Sequence, residues 1–304
     1  MIAPEKLPVA SEDRYLAFLR ERTGKTFHVV AYPGNAGDAM IRFATERILA
    51  DLRIRTTSDP GTADVILVPG GNPTLWPDIG AQRWQVLWTR YRHAELVVGP
   101  AGFRDGYSDW ARIVNDSRST VTGLFARDPE GLRCLQSGVL RSGITYGLAY
   151  DPSLYLRTSD WLAAHRRAAS EEFDLAVFRN DRETNLPYPQ AWRVLSSIVP
   201  TRFHRSLIRA LSWPVRRRKA QIAGAGRGAA ALPLVCRDVA REPLETFVAT
   251  VRGARAVHTD RLHTMLLSAM LGKKVFAYPT SHSKLEGVYE YALKGWADVT
   301  FVAM

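Results

Sequence analysis

Residues 256–287 read AVHTDRLHTMLLSAMLGKKVFAYPTSHSKLEG, and this stretch decides the fold class. Ala254–His258 is an apolar run too short for a helix, whereas Arg261–Leu271 carries apolar residues at helical spacing until Gly272 stops it. Lys274–Tyr278 (KVFAY) is a second apolar run, and Ser281-His282-Ser283-Lys284 opens the next helix. Short, continuously apolar strands alternating with helices specify a parallel sheet covered on both faces.

The same alternation extends outward. Thr26–Tyr32 (TFHVVAY) leads through the loop PGNAGD into a helical stretch, Ala39–Asp51. Asp64–Pro69 (DVILVP) is followed by GGNPTLWPD and a helix over Gln82–Arg92; further strands are expected at Glu95–Val98, Thr120–Ala126 and Thr145–Ala149, with a short helix after Asp128. Tyr155–Ser170 reads as a helical connector. A second series runs from Asp174–Phe178 through a helix at Gln190–Ser197, a strand at Leu232–Cys236 and a helix at Pro243–Val251, to a last strand at Val299–Val302. The expected α/β fold is two Rossmann-like domains, 1–158 and 159–304, with a central cleft. Ligands of such sheets bind beyond the C-terminal ends of the strands, so the loops there are the candidate site.

Charge separates into two devices. The 304 residues carry a formal net charge of +11. Ten Lys and Arg residues and no acid fall between Glu183 and Asp238, so the rest of the chain is close to neutral. Within that segment Phe203, Leu207, Ala210 and Leu211 share one helical face and Arg202, Arg205 and Arg209 the other, ahead of Trp213-Pro214 and the run Arg216–Lys219. A basic amphipathic insert at about 200–230 fits an anionic membrane surface; the alternative is a solvated loop docked through its apolar face. Nucleic acid is not expected, because no binding motif is present and stacking aromatics do not interleave with the cations. No apolar run approaches the ~18–20 residues needed to span a bilayer. The start MIAPEKLPVASEDRY lacks the apolar block of a secretory signal, and Cys134 and Cys236 supply neither a disulfide framework nor a zinc set. The expected location is cytoplasmic, peripheral at the inner face of the membrane.

Among the strand-end loops, YPGNAGD (32–38) offers Asn35 and the acid Asp38 at a helix start, where Asp38 is expected to cap free amides. Gly70, Gly71 and Asn72 let a ligand approach the main chain. Either loop also reads as an ordinary tight turn. FARD (125–128) puts Arg127 at a strand end, either as a site residue or paired with Asp128. Arg261 and His263 fall in the first turn of their helix, with Thr259 or Asp260 as its cap. Cations there cost the helix ~0.3–1 kcal/mol each, which an anionic ligand reverses. The plain alternative is a surface pair with Asp260. Lys284 brings an ammonium to the following helix start. GxGxxG after a strand, a Walker loop, HExxH, GxSxG, CxxC and Asp-x-Asp are all missing from the sequence.

The sequence resembles the polysaccharide pyruvyl transferase family. The resemblance rests on YPGNAGD, VPGGN (68–72), FARD, AYDPSLYL (149–156) and TDRLHTMLLSAMLGKKV followed by Lys284, in the family's order. Two positions depart from the pattern: the usual glycine triplet is Gly70-Gly71-Asn72, and Gly131 replaces the serine after FARD. The resemblance implies a GT-B-like architecture, with the acceptor on the N-terminal side and the donor on the C-terminal side. It further implies transfer of pyruvate from phosphoenolpyruvate to two hydroxyls of a saccharide acceptor, lipid-linked in some surface polysaccharide pathways, with no metal or other cofactor. His263, Arg127 and Lys284 match the family's catalytic and donor-binding positions, with Arg261 adjacent. Asn35, Asp38, Gly70, Gly71 and Asn72 are left for the acceptor. Two other readings remain open on the residues alone: a glycosyltransferase using a nucleotide sugar, and a non-catalytic scaffold of a polysaccharide assembly complex.

Overall fold

The computed structural model describes residues 13–31, 34–71, 81–104, 109–167, 170–179, 213, 217–225, 232–280 and 283–303. The chain divides into two compact units. The first holds the described residues of Met1–Gly34, Asp38–Asp160 and Gly287–Trp296, and the second those of Asn35–Gly37, Trp161–Glu286 and Ala297–Met304.

The first unit is built on six strands: β1 (Thr26–Val29), β2 (Arg55–Thr56), β3 (Val65–Val68), β4 (Glu95–Ala101), β5 (Val121–Ala126) and β6 (Thr145–Leu148). They pair in the order β2-β1-β3-β4-β5-β6, all parallel. Successive side chains of a strand point to opposite faces, and the two core clusters divide accordingly. Ile66, Val68, Leu96, Val98 and Leu124 join one cluster with Trp84, Phe103 and Trp110. Val65, Leu67, Val97 and Phe125 join the other with Tyr15, Phe18 and Phe27. Both faces being buried is why VILV and ELVV read as unbroken apolar runs. Helices α1 (Arg14–Arg20), α2 (Ala36–Asp51), α3 (Ala81–Arg90), α4 (Trp110–Val114) and α5 (Pro129–Ser137) complete the series up to the connector, a 3-10 turn at Pro152–Thr158.

The second unit begins with α6 (Asp160–Arg167), whose first residue closes the first unit. Its strands are β7 (Phe173–Val177), β8 (Leu234–Cys236), β9 (Ala254–Thr259), β10 (Lys274–Ala277) and β11 (Val299–Phe301). They form a parallel sheet in the order β11-β10-β9-β7-β8. Helices α7 (Leu244–Gly253), α8 (Leu262–Met270) and α9 (Lys284–Val288) connect them.

The α/β class and the two Rossmann-like sheets are as expected, but the chain is shared out differently: Asn35–Gly37, expected in the N-terminal domain, group with the second unit. Residues 287–296, expected in the C-terminal domain, pack with the first unit. Aromatic contacts explain it: Tyr291 stacks on Tyr150 at 4.8 Å, and the Arg157 guanidinium lies 3.9 Å over the Trp296 ring. The helix expected at 190–197 and the amphipathic face at 202–211 lie outside the described residues.

Candidate active site

Strand order locates the switch points, where successive connections leave a sheet in opposite directions and a ligand crevice opens. In the first sheet β1 connects outward to β2, and the chain then crosses to β3, so the switch lies between β1 and β3. In the second, β7 connects outward to β8 and the chain crosses to β9, placing the switch between β7 and β9. The loops after β1, β3, β7 and β9 are therefore the crevice-forming segments.

At the first switch, Gly70 (φ +131°) and Gly71 (φ +100°) adopt backbone closed to ordinary L residues. A Cβ on Gly70 would stand 2.4 Å from the Pro100 carbonyl oxygen, so glycine alone fits. Asp38 lies on the opposite side of the switch, its Oδ1 3.8 Å from where a Gly71 Cβ would be. Asp38 lies in the first turn of α2, two residues past its first residue and not at the N-cap position. Helix α2 starts earlier than expected, and Asn35 Oδ1 accepts the Gly37 amide at 2.8 Å. Asn72 and Tyr32-Pro33 lie outside the described residues.

Arg127 follows β5 and is 1% exposed. Its Nη1 donates to Asp151 Oδ2 at 2.7 Å, and Asp151 also accepts the Ser153 amide and hydroxyl. The expected partner, Asp128, is engaged elsewhere: both its oxygens accept from Arg104, at 3.0 and 3.1 Å, and Oδ1 caps α5 through the Gly131 amide. Arg104 and Asp151 are buried ionic residues that sequence reading gave no role. Asp151 is the sole acid of AYDPSLYL, and Arg104 is the arginine just after β4, so the strand-end argument applied to Arg127 would have found it.

The second switch carries the larger set of cations. Arg261 is the N-cap residue of α8 and His263 lies in its first turn. Of the two expected caps, Thr259 Oγ1 accepts the Arg261 amide at 3.0 Å, whereas Asp260 accepts the Arg179 amide and the Lys219 ammonium. Arg261 is 5% exposed, not a surface group, and its Nη2 contacts Asp238 Oδ1 at 2.9 Å and Oδ2 at 3.1 Å. Asp238, the first acid after the basic segment, sits ahead of the 3-10 turn Val239–Arg241 and had no part in the sequence reading. His263 is half-buried. A Cβ on Gly37, which groups with this unit, would fall 2.3 Å from its Nδ1. Lys284 opens α9 and is buried, 3% exposed. His258 is a packing residue: its ring stacks on Phe276 at 4.5 Å and its Nδ1 pairs with the Tyr278 hydroxyl at 3.1 Å. Burial pushes that hydroxyl's pKa up to about 12, so Tyr278 stays protonated.

The run Arg216–Lys219 is not one solvated cluster. Arg217 and Arg218 are exposed, whereas Lys219 is fully buried and its ammonium donates to Asp260 Oδ2 at 2.7 Å. Trp213 is exposed, with the Arg217 guanidinium 5.2 Å from its ring. Among the described residues no helix is long and apolar enough to cross a membrane, and no group of three or more His, Cys, Asp or Glu could hold a metal ion.

The arrangement at α8, a guanidinium and an imidazole at the positive end of a buried helix beside a strand switch, is suited to a small anion carrying more than one charge. Similar solved structures include a protein of uncharacterised function from Klebsiella pneumoniae, 18% identical, with a TM-score of 0.60 over 95% of this chain and 97% of that one. Another is the UDP-GlcNAc 2-epimerase of Methanocaldococcus jannaschii in complex with UDP-GlcNAc and UDP, 11% identical, with a TM-score of 0.42 over 91% of this chain and 88% of that one. Among curated proteins none matches. The polysaccharide pyruvyl transferase family model matches residues 35–282, from the Asn35 cap through the loops at both switch points, and on that span the chain belongs to this family.

Proposed function

We propose that the protein transfers pyruvate from phosphoenolpyruvate to two hydroxyls of a saccharide, forming a cyclic ketal during surface or exopolysaccharide assembly. The observation that carries this reading is the Asp260–His263 turn at the switch of the second sheet, where the buried Arg261 and the half-buried His263 stand at the N-terminus of α8. Family membership supports the transferase class; the charge of the donor explains the residues. Phosphoenolpyruvate bears a carboxylate and a phosphate, which call for clustered guanidinium and ammonium groups. Arg261, Arg127 and Lys284 take that binding role, and Asn35, Asp38 and the Gly70–Asn72 loop serve the acceptor.

The chemistry assigns each proton. His263, as the general acid, gives a proton to the donor methylene carbon. The adjacent carbon becomes electrophilic and one sugar hydroxyl adds to it. The C–O bond to phosphate breaks, with the basic groups stabilising the departing charge, and the second hydroxyl closes the ring. Of the two hydroxyl protons, one replaces that spent on the new methyl group and the other leaves on inorganic phosphate.

Peripheral membrane binding belongs to the same proposal. Exposed Trp213, Arg217 and Arg218 provide an aromatic anchor and two cations for an anionic leaflet. Co-sedimentation with phosphatidylglycerol vesicles should weaken in the Arg217→Glu/Arg218→Glu protein; equal binding by both proteins excludes this element as the contact. The function itself is tested in cells lacking the protein. Mass spectrometry of their surface saccharides should show loss of a pyruvyl ketal that re-expression restores, and an unchanged ketal content contradicts the proposal.

A further inference from the structure

We infer that Lys219 is a positioning residue whose buried ammonium ties together the loops after β7, β9 and β10 and so sets the geometry of Arg261 and His263. Lys219 Nζ donates to Asp260 Oδ2 at 2.7 Å and to the Pro279 carbonyl at 3.2 Å. The other carboxylate oxygen of Asp260 accepts the Arg179 amide at 2.7 Å. Arg179 follows β7, Asp260 follows β9 and Pro279 follows β10, and these three strands are neighbours in the order β10-β9-β7. One side chain from the segment between β7 and β8 thus spans the switch point and the next strand end.

Docking of the segment does not need this charge. Residues 217–224 are helical, and Ala223, four residues beyond Lys219, is buried with Ala176, Phe178 and Tyr278, while Ala220 and Ile222 pack against the same cluster. Arg217 and Arg218 are exposed. An apolar residue at 219 would extend the docked face without desolvating an ion. A fully buried lysine–carboxylate pair is a poor source of net stability, because the desolvation of both ions offsets their attraction. What the pair supplies is direction: it fixes the carboxylate of the residue immediately before Arg261, at the point where β9 turns into α8. One oxygen of Asp260 accepts the Arg179 amide and the other the Lys219 ammonium, while the Arg261 guanidinium contacts Asp238.

The kinetic part of the test rests on the pyruvyl-transfer reading; the exchange part does not. In Lys219→Ala, hydrogen exchange at the Arg179 amide should accelerate at least about tenfold and the KM for phosphoenolpyruvate should rise about ten- to a hundredfold, with a smaller fall in kcat. Added propylammonium, which replaces the missing part of the side chain, should reverse both changes. Should that variant not fold, Lys219→Met/Asp260→Asn leaves no buried charge uncompensated, and it should keep the wild-type melting temperature while retaining the raised KM and the faster exchange. Wild-type KM and wild-type exchange in a folded variant overturn the inference, as does Lys219→Ala showing no response to propylammonium. If the wild-type protein does not turn over phosphoenolpyruvate, the functional reading fails on its own, and unaltered exchange at Arg179 still overturns the role of Lys219.

Discussion

Arg261 and Asp238 are joined through one guanidinium nitrogen that lies within 3.1 Å of both carboxylate oxygens, and Arg261 is almost wholly buried. Asp238 also receives Arg241 at 3.2 Å, but that arginine is half exposed. The first contact therefore holds a buried guanidinium, to which donor binding is proposed, and the second is a surface ion pair, of the kind worth at most about 1 kcal/mol. Asp238→Ala should raise the KM for phosphoenolpyruvate about tenfold or more with a smaller change in kcat. Arg241→Ala should behave as wild type in the same steady-state assay. Equal kinetics for the two variants would remove Asp238 from the account.

His263 and Gly37 form a second test, because a Cβ at Gly37 would stand 2.3 Å from the imidazole Nδ1. His263→Ala should lower kcat by about 10²–10⁴ while leaving the donor KM within a few-fold, as expected for loss of a general acid. Gly37→Ala should lower kcat in the same sense, by displacing the ring and not by removing it. Circular dichroism and melting of Gly37→Ala should remain close to wild type. A Gly37→Ala enzyme of full kcat shows that the imidazole does not need its observed position.

Arg127 and Asp151 are buried together at 2.7 Å, so removing one charge takes a close ion-pair partner from the other. Asp151→Ala should cost about 3–5 kcal/mol in urea unfolding. Substituting both with apolar residues, Arg127→Met/Asp151→Leu, should recover most of that loss yet leave transfer activity absent. Recovery of activity along with stability assigns the pair to architecture alone.

Acid should act through Glu95. Desolvation pushes its carboxyl up, but the hydrogen bonds from Lys25, Arg22 and Thr122 together outweigh it and hold the pKa below the usual carboxylate range. A folded-state pKa below the unfolded one contributes stability that is fully present above the unfolded value, about 4.3, and is lost as pH falls through the folded value. Urea midpoints of the wild type should therefore drop more steeply below about pH 4.3 than those of Glu95→Gln. Parallel curves would falsify the role of this ion cluster.

The fold was legible where the residues repeat a physical rule. VILV is an unbroken apolar run because both faces of its sheet are covered, KVFAY and ARAVH are mostly buried for the same reason, and Gly272, with φ +73°, follows the end of α8 as its position required. The candidate site was legible as a set of residue types at strand ends. Partner choice was not legible, because ion pairs form between loops that only the strand order brings together. Asp128 is next to Arg127 in sequence, yet the backbone turn gives it to Arg104 and α5, leaving Arg127 to Asp151. Lys219 stood in a run of four cations, and nothing local distinguished the buried one from its exposed neighbours. Its partner Asp260 is 41 residues away. The return of residues 287–296 to the first unit depends on ring contacts with Tyr150 and Arg157, far more distant in sequence still.

The proposed reaction is acceptor-dependent chemistry at the donor's enol carbon. Purified protein incubated with phosphoenolpyruvate and a saccharide acceptor should release inorganic phosphate in step with a product that shows a ketal methyl resonance, and His263→Ala should release almost none. Product formed only from a sugar nucleotide, or no turnover of either donor by a protein that also fails to bind phosphoenolpyruvate in a calorimetric titration, would contradict the account.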